Sequence, residues 1–421
     1  MRTRSGQGLS MKEPNAAALG ERADTMIRTL GSISAEPNRL IRQYLTPEHR
    51  AAADLIGKWM RAAHLAVSED ALGTVRGHWA GAGERRLLIG SHIDTVIDGG
   101  MYDGPFGVVA GILAAEHFAV AGRKLGFGID VLAFGDEEGV RFPTTLASSM
   151  ACAGTFDAAR LEMTGRDGVT LRDAIKLYGK NPDDIPAAAY AHDVAAAYVE
   201  VHIEQGPVLE YRNQPLGVVN AIAGQSYLNV EFLGEAGHAG TVPMMLRRDA
   251  LAGAAEVILL AERLARDTRG EVVATVGHLR IPAAASNVIP GNVALIVDIR
   301  SGSDKARHQF VDAFKAEIRA VADRRELGLT ITQTRDVATT PCDAALQEGF
   351  ADAIRAVGGE PLRLASGAGH DGTAMAKLCP IAMMFVRCRG GISHNPAEYA
   401  SPDDMGLAVA ALIRFIEAAK L

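Results

Sequence analysis

Five short segments carry most of the side chains able to do chemistry: His92-Ile93-Asp94, Asp103-Gly104, Asp136-Glu137-Glu138, His202-Ile203-Glu204-Gln205 and Ser393-His394-Asn395-Pro396. They supply imidazoles and carboxylates and no thiolate, a donor set that suits zinc, manganese, cobalt or nickel. A site for two such ions needs a bridging carboxylate and about two further ligands per ion, with the ions roughly 3.5–4 Å apart. His92, Asp103, Glu138, His202 and His394 match that count. A single histidine at a strand end is more often a hydrogen-bonded structural residue; the recurrence of the pattern along the chain favours metal. Glu137 and Glu138 follow the apolar run VLAF and precede a glycine, which puts them at a sheet edge. One carboxylate can bind metal while its neighbour takes a proton from an activated water. Glu138 is assigned to the metal and Glu137 to the general base. Residues two apart on a strand share a face, so Asp94 is expected to stand behind His92 and fix its tautomer.

The elements that must position these groups read as an α/β layer. Residues 17–63 are Ala-rich with amphipathic spacing and read as helical. A strand is expected near Val67 and another over 86–89, ending in GSHIDTV. The small apolar stretch 107–120 reads as a buried helix, and 129–134 as the next strand, ending in DEEGVRF. Strand, loop, helix, strand is the signature of an α/β sheet, whose ligands sit outside the carboxyl ends of its strands. After the run 197–203 the texture changes. Strands over 227–233, 272–279, 293–299 and 329–334 alternate with helices over 249–267 and 304–325, which suggests an inserted α+β unit. From about Pro341 the chain returns to helix, strand, loop, helix. The expected division is 1–216 with 336–421 as a discontinuous catalytic domain, and 217–335 as the insertion.

The bulk properties exclude several partners. A chain of 421 residues is long enough for two sizeable cores, and 48 % hydrophobic with 22 % charged residues is globular. The formal net charge of −7, with no Lys/Arg block, argues against nucleic acid or an anionic membrane as partner. No apolar run is long enough to span a bilayer. The N-terminal run MRTRSGQGLSMKEP lacks the apolar stretch of a secretory signal, and Met11 offers an alternative start to Met1. Cys152, Cys342, Cys379 and Cys388 are widely spaced, without a CxxC pair, and read as reduced thiols. The expected location is cytoplasmic.

GSHIDTV, MYDGPFGV, DEEGVRFP, VHIEQGPVLE, GHAGTVPM, SNVIPG, VDIRS, SGAGHD and GISHNPAE, in order from about residue 37 to 410, resemble the hydantoinase/carbamoylase branch of the dinuclear M20 metallopeptidase family. HIEQGPVLE is the most diagnostic piece, because aminopeptidase relatives place an acidic ligand where this chain has His202. The resemblance implies a metallopeptidase-like α/β catalytic domain with an inserted α+β lid that forms a homodimer. It implies two divalent ions, with His92 and His202 on one, Glu138 and His394 on the other, Asp103 between them, and Glu137 as the base. His238 is similar to a lid histidine that crosses the dimer to stabilise the oxyanion. Arg300 resembles the arginine that clamps a substrate carboxylate, a task for a planar fork. Asn287 and Gln205 look like further substrate contacts, and Gly367, Gly369 and His370 like the loop lining the pocket; the alternative for each, and an equal one for Gln205, is a structural hydrogen-bonding residue. Asn287 and Arg300, like His238, are candidates to serve the partner subunit's site.

The resemblance implies hydrolysis of a carbamoyl or ureido C–N bond in a small carboxylate, with release of ammonia and carbon dioxide. SGAGHDGTAMAKL followed by MMFVRCRGGISHNPAEY is most similar to allantoate amidohydrolases, whereas ASPDDM is closer to ureidoglycolate enzymes. The expected substrate is allantoate, ahead of N-carbamoyl-L-amino acids, ureidoglycolate and N-carbamoyl-β-alanine. Three rivals fare worse. HIEQG argues against an aminoacylase or dipeptidase. A binding protein that had merely kept the fold should have lost a ligand or the base, and none is lost. A serine hydrolase would carry a GxSxG elbow after a strand, and there is none.

Overall fold

The computed structural model describes residues 14–421. The choice between Met1 and Met11 as the start lies outside those residues. Among them the chain forms two compact units, one running to Asn220 and continuing through 342–364 and 370–421, the other comprising 221–341 and 365–369. No described helix is long and apolar enough to cross a membrane.

The sheet of the first unit runs Ala66–Glu69, Val75–Trp79, Gly128–Phe134, Arg86–His92, Ala195–Ile203, Ile381–Val386 and Leu216–Ile222, with Leu362–Ser366 beside the last. Its four central strands are parallel, so their carboxyl ends share one edge. Gly128–Phe134, Ala195–Ile203 and Ile381–Val386 are buried along their whole length. That is the burial of a sheet covered on both faces, and it explains why these strands read as continuous apolar runs rather than alternating ones. The helix Pro105–Ala121 packs against them and is buried almost all round, as its lack of a polar face requires. Proline at its first position costs nothing there, because that N–H has no helical partner.

The helix expected over 17–63 is two helices, Ala16–Gly31 and Pro47–Ala62. The second starts afresh, with Thr46 accepting from the His49 N–H and Pro47 in the first turn. Between them Arg42 is fully buried and donates to the carbonyls of Leu30, Ile33 and Ile93. The chain crosses to the sheet edge there, and a continuous helix could not deliver that side chain. The stretch 140–194, for which the sequence carried no expectation, folds into short helices around Leu161, Leu171 and Ile175.

The second unit is an antiparallel sheet in the order Gly328–Val337, Gly224–Leu233, Asn292–Ser301 and Val272–Arg280. Leu228, Val230, Phe232, Val293, Leu295, Val297 and Ile299 form its inner face, with every second residue turned the other way. The helices Ala250–Asp267 and Asp304–Arg324 cover that face through Val257, Phe310, Phe314 and Ile318. A short strand pair, Gly237–His238 with Val288–Ile289, stands apart from the sheet.

Candidate metal centre

His92 closes the strand Arg86–His92, and His202 lies one residue from the end of the strand Ala195–Ile203. Each ring is tethered through Nδ1–H, His92 to the carbonyl of Asp94 at 3.0 Å and His202 to the carbonyl of Ile203 at 2.9 Å. That tether selects the tautomer whose Nε2 lone pair is free. Both Nε2 atoms face Asp103 Oδ1, at 3.7 Å from His92 and 3.2 Å from His202. His394, in the loop after Ile381–Val386, places Nε2 at 3.1 Å from the other oxygen, Asp103 Oδ2, and 3.6 Å from Glu138 Oε2. One carboxylate thus shows one oxygen to a pair of histidines and the other to a third histidine beside a glutamate. Gly104 has φ +82°, and a Cβ there would meet the His92 ring at 2.5 Å. Only glycine lets Asp103 approach so closely.

These groups fit bound metal ions. His92, Asp103 and His202 bring ligand atoms within 4.8 Å of one another, as do Asp103, Glu138 and His394, and also His92, Glu137 and Glu138. His202 Nε2 is buried and makes no hydrogen bond. A lone pair left in that condition is costly unless something electropositive meets it. Burial pushes the Glu138 carboxyl up to about 7. Burial also lifts Glu137 well above the usual carboxylate range, opposed by His92 and reinforced by Glu138.

Asp94 behaves differently from the expectation. Its carboxylate is 3.7 Å from His92 Nδ1, beyond hydrogen-bond reach, and it is the Asp94 carbonyl that fixes the ring. The carboxylate instead accepts the backbone N–H groups of Glu137 and Glu138, each at 3.3 Å. The strand ends at His92, so the two-residue periodicity does not extend to Asp94. Gln205, expected at the substrate, donates from Nε2 to Asp103 Oδ2 at 3.0 Å and to Ser393 Oγ at 3.2 Å, from a left-handed backbone with φ +56°. Its Oε1 is buried without a partner. His370 is buried with its ring 4.5 Å from that of His202, and burial holds it well below the usual histidine range.

The remaining expected residues lie in the second unit. His238 is exposed on the short strand pair, where the Ala239 N–H donates to the Asn287 carbonyl. His238 Nδ1 accepts from the Gly240 N–H at 3.1 Å, which leaves Nε2–H as a donor. Arg300 donates through Nε and Nη2 to Asp298, at 3.0 and 2.7 Å, and through Nη1 to the Gly367 carbonyl at 2.7 Å. Gly367 and Gly369 are exposed in the loop 365–369.

Several groups at these sites were absent from the sequence reading. Asp298 lies two residues before Arg300 and on the same strand face, so that signal was available. Glu200 stands in the same relation to His202; it is fully buried and accepts from Ser91 Oγ at 2.9 Å and Tyr198 OH at 3.0 Å. An acid inside an otherwise apolar strand was the clue. Glu398 closes the motif GISHNPAE, but nothing in its spacing points to Asp103, which it meets in space.

The chain matches the model of peptidase family M20/M25/M40 over residues 88–418. It is 41 % identical to a probable allantoate deiminase of Oryza sativa subsp. japonica, over 94 % of this chain and 88 % of that one. It is 39 % identical to an N-carbamoyl-L-amino acid amidohydrolase of Geobacillus stearothermophilus, over 91 % of this chain and 95 % of that one. Its fold is similar to that of a hydantoinase/carbamoylase family amidase from Burkholderia multivorans, with a TM-score of 0.89 and 32 % identity over 94 % of this chain and 97 % of the other. Sequence and fold thus agree over nearly the whole described chain, which belongs to the M20/M25/M40 peptidase family and, within it, to the hydantoinase/carbamoylase amidohydrolases.

Proposed function

We propose that this amidohydrolase binds two divalent ions per chain and hydrolyses the carbamoyl C–N bond of allantoate, with release of ammonia and carbon dioxide. The observation that carries the metal reading is Asp103, with Oδ1 towards His92 and His202 and Oδ2 towards His394. His92 and His202 would hold one ion, Glu138 and His394 the other, and Asp103 would bridge. Manganese, zinc, cobalt and nickel all suit these donors. The allantoate deiminase at 41 % identity favours allantoate. The N-carbamoyl-L-amino acid amidohydrolase at 39 % identity makes carbamoyl amino acids the second reading.

Bound ions would lower the pKa of an attacking water and polarise the carbonyl it attacks. Glu137 accepts the proton of that water and returns it to the departing nitrogen. A carboxylate beside the group it deprotonates is suited to that traffic. Arg300 holds the substrate carboxylate in a fork that Asp298 keeps oriented. His238 offers its Nε2–H to the developing oxyanion in the partner subunit of a homodimer. The first unit serves as catalytic domain, the second as lid and dimerisation domain.

The test is ammonia release by manganese-loaded protein on allantoate, ureidoglycolate, N-carbamoyl-L-amino acids and N-carbamoyl-β-alanine side by side, with a chelator control. Preference for allantoate, abolished by chelation, is expected. Preference for a carbamoyl amino acid would keep the chemistry and replace the substrate. No turnover of any of them with two ions bound would overturn the proposal.

A further inference from the structure

We propose that Glu398 is the positioning residue for Asp103, acting through the main chain on one side and through Ser393 and Gln205 on the other. The inference rests on the reading of Asp103 as the carboxylate shared by two ions. Glu398 is 4 % exposed. Its Oε1 accepts the backbone N–H of Tyr102 at 2.9 Å and of Asp103 itself at 3.1 Å. Its Oε2 accepts the Ser393 hydroxyl at 2.8 Å. Ser393 Oγ in turn stands 3.2 Å from Asp103 Oδ2 and receives Gln205 Nε2 at 3.2 Å. A hydroxyl has one proton to give. The shorter distance assigns it to Glu398, and the Gln205 amide then serves both Ser393 Oγ and Asp103 Oδ2. Asp103 is therefore gripped at its own N–H and again at the side-chain oxygen that faces His394.

Two further observations separate this from an ordinary loop contact. A Cβ on Gly100 would lie 2.1 Å from the Glu398 carboxyl group, so the glycine is what lets Glu398 reach the main chain. A glutamine could accept the same two N–H groups without adding charge. Placing a buried carboxylate against Asp103 is unfavourable by like-charge repulsion, and that repulsion is relieved when cations occupy the site. The negative charge of Glu398 thus favours the same ions that Asp103 binds.

The experiment measures ion stoichiometry and affinity by chelator competition, together with the Mn(II)–Mn(II) exchange signal in electron paramagnetic resonance. Wild type, Glu398→Ala, Glu398→Gln, Ser393→Ala and Asp103→Ala are compared, with thermal unfolding as the folding control. Removing a residue that orients a metal ligand costs on the order of 10–100-fold in metal affinity. That loss is expected for Glu398→Ala, together with loss of the exchange signal. Glu398→Gln, which keeps the N–H acceptors, is expected to recover part of it. A loss in Glu398→Ala with none in Ser393→Ala assigns the effect to the main-chain grip and supports the proposal. Folded Glu398→Ala that binds both ions as tightly as wild type, with an unchanged exchange signal, overturns it. If Glu398→Ala does not fold, Glu398→Gln decides: weakened binding supports the proposal, and binding of both ions as tight as in wild type overturns it. Fewer than two ions in wild type, or two retained in Asp103→Ala, would instead overturn the shared-carboxylate reading on which the inference rests.

Discussion

In the first unit His92, His202 and His370 are each 1 % exposed and Asp103 5 %, whereas in the second unit His238 and Asn287 stand in solvent and Arg300 is half-buried. The difference lies in when desolvation is met. The buried groups have lost their water on folding, so each is held by a second contact: His92 and His202 through Nδ1, Asp103 through Glu398 and Gln205. A group so constrained is already aimed, and catalysis gains from donors that need no reorganisation. The exposed groups keep their water in the free chain. In the roles proposed for them they would contribute by interactions formed only when substrate arrives, which is where differential binding accelerates a reaction. Arg300 is intermediate, half-buried and held by Asp298 and by the Gly367 carbonyl.

This contrast predicts a graded series. The largest effect belongs to Asp103→Ala, which should lose both ions after desalting, read by elemental analysis, and with them all turnover. Retention of two ions would remove Asp103 from the shared position. Glu137→Gln comes next. Turnover should drop by about 10²–10⁴-fold, the range for a general base, with metal content unchanged. Wild-type-like rates would end the assignment of Glu137.

His238→Ala should lower kcat by about 10²–10³-fold, the value of one oxyanion donor, again with both ions in place. Mixed dimers of His238→Ala and Glu137→Gln subunits should regain activity, because one of their two sites has both groups intact. Hybrids that assemble and stay inactive would count against a crossing histidine. The smallest effects belong to the carboxylate clamp. Arg300→Lys should raise KM roughly tenfold through loss of a charge-assisted hydrogen bond and change kcat little. Asp298→Asn should do the same to a lesser degree. An unchanged KM in both would move substrate anchoring away from Arg300.

Much of this was legible from residue type and local order. The parallel strands announced themselves as apolar runs, and their histidines and acids sat just past the ends. The break between Gly31 and Pro47 leaves no mark in the periodicity, because amphipathic spacing persists on either side while Arg42, buried in the break, bonds to Ile93, 51 residues away. Spacing points to the Asp94 carboxylate as the partner of His92, whereas the Asp94 carbonyl holds the ring. Side-chain periodicity is silent about main-chain acceptors.

Residue types and short-range periodicity were enough for the fold class and the set of donors available for metal, and the ordered motifs carried the resemblance to an amidohydrolase family. Only the tertiary structure decided which donors converge and what holds them. Asp103 meets three histidines from three separate segments, and Glu398 grips it from 295 positions along the chain. No local pattern encodes such a meeting, because the register of the sheet and the path of its loops bring those segments together only when the whole layer closes.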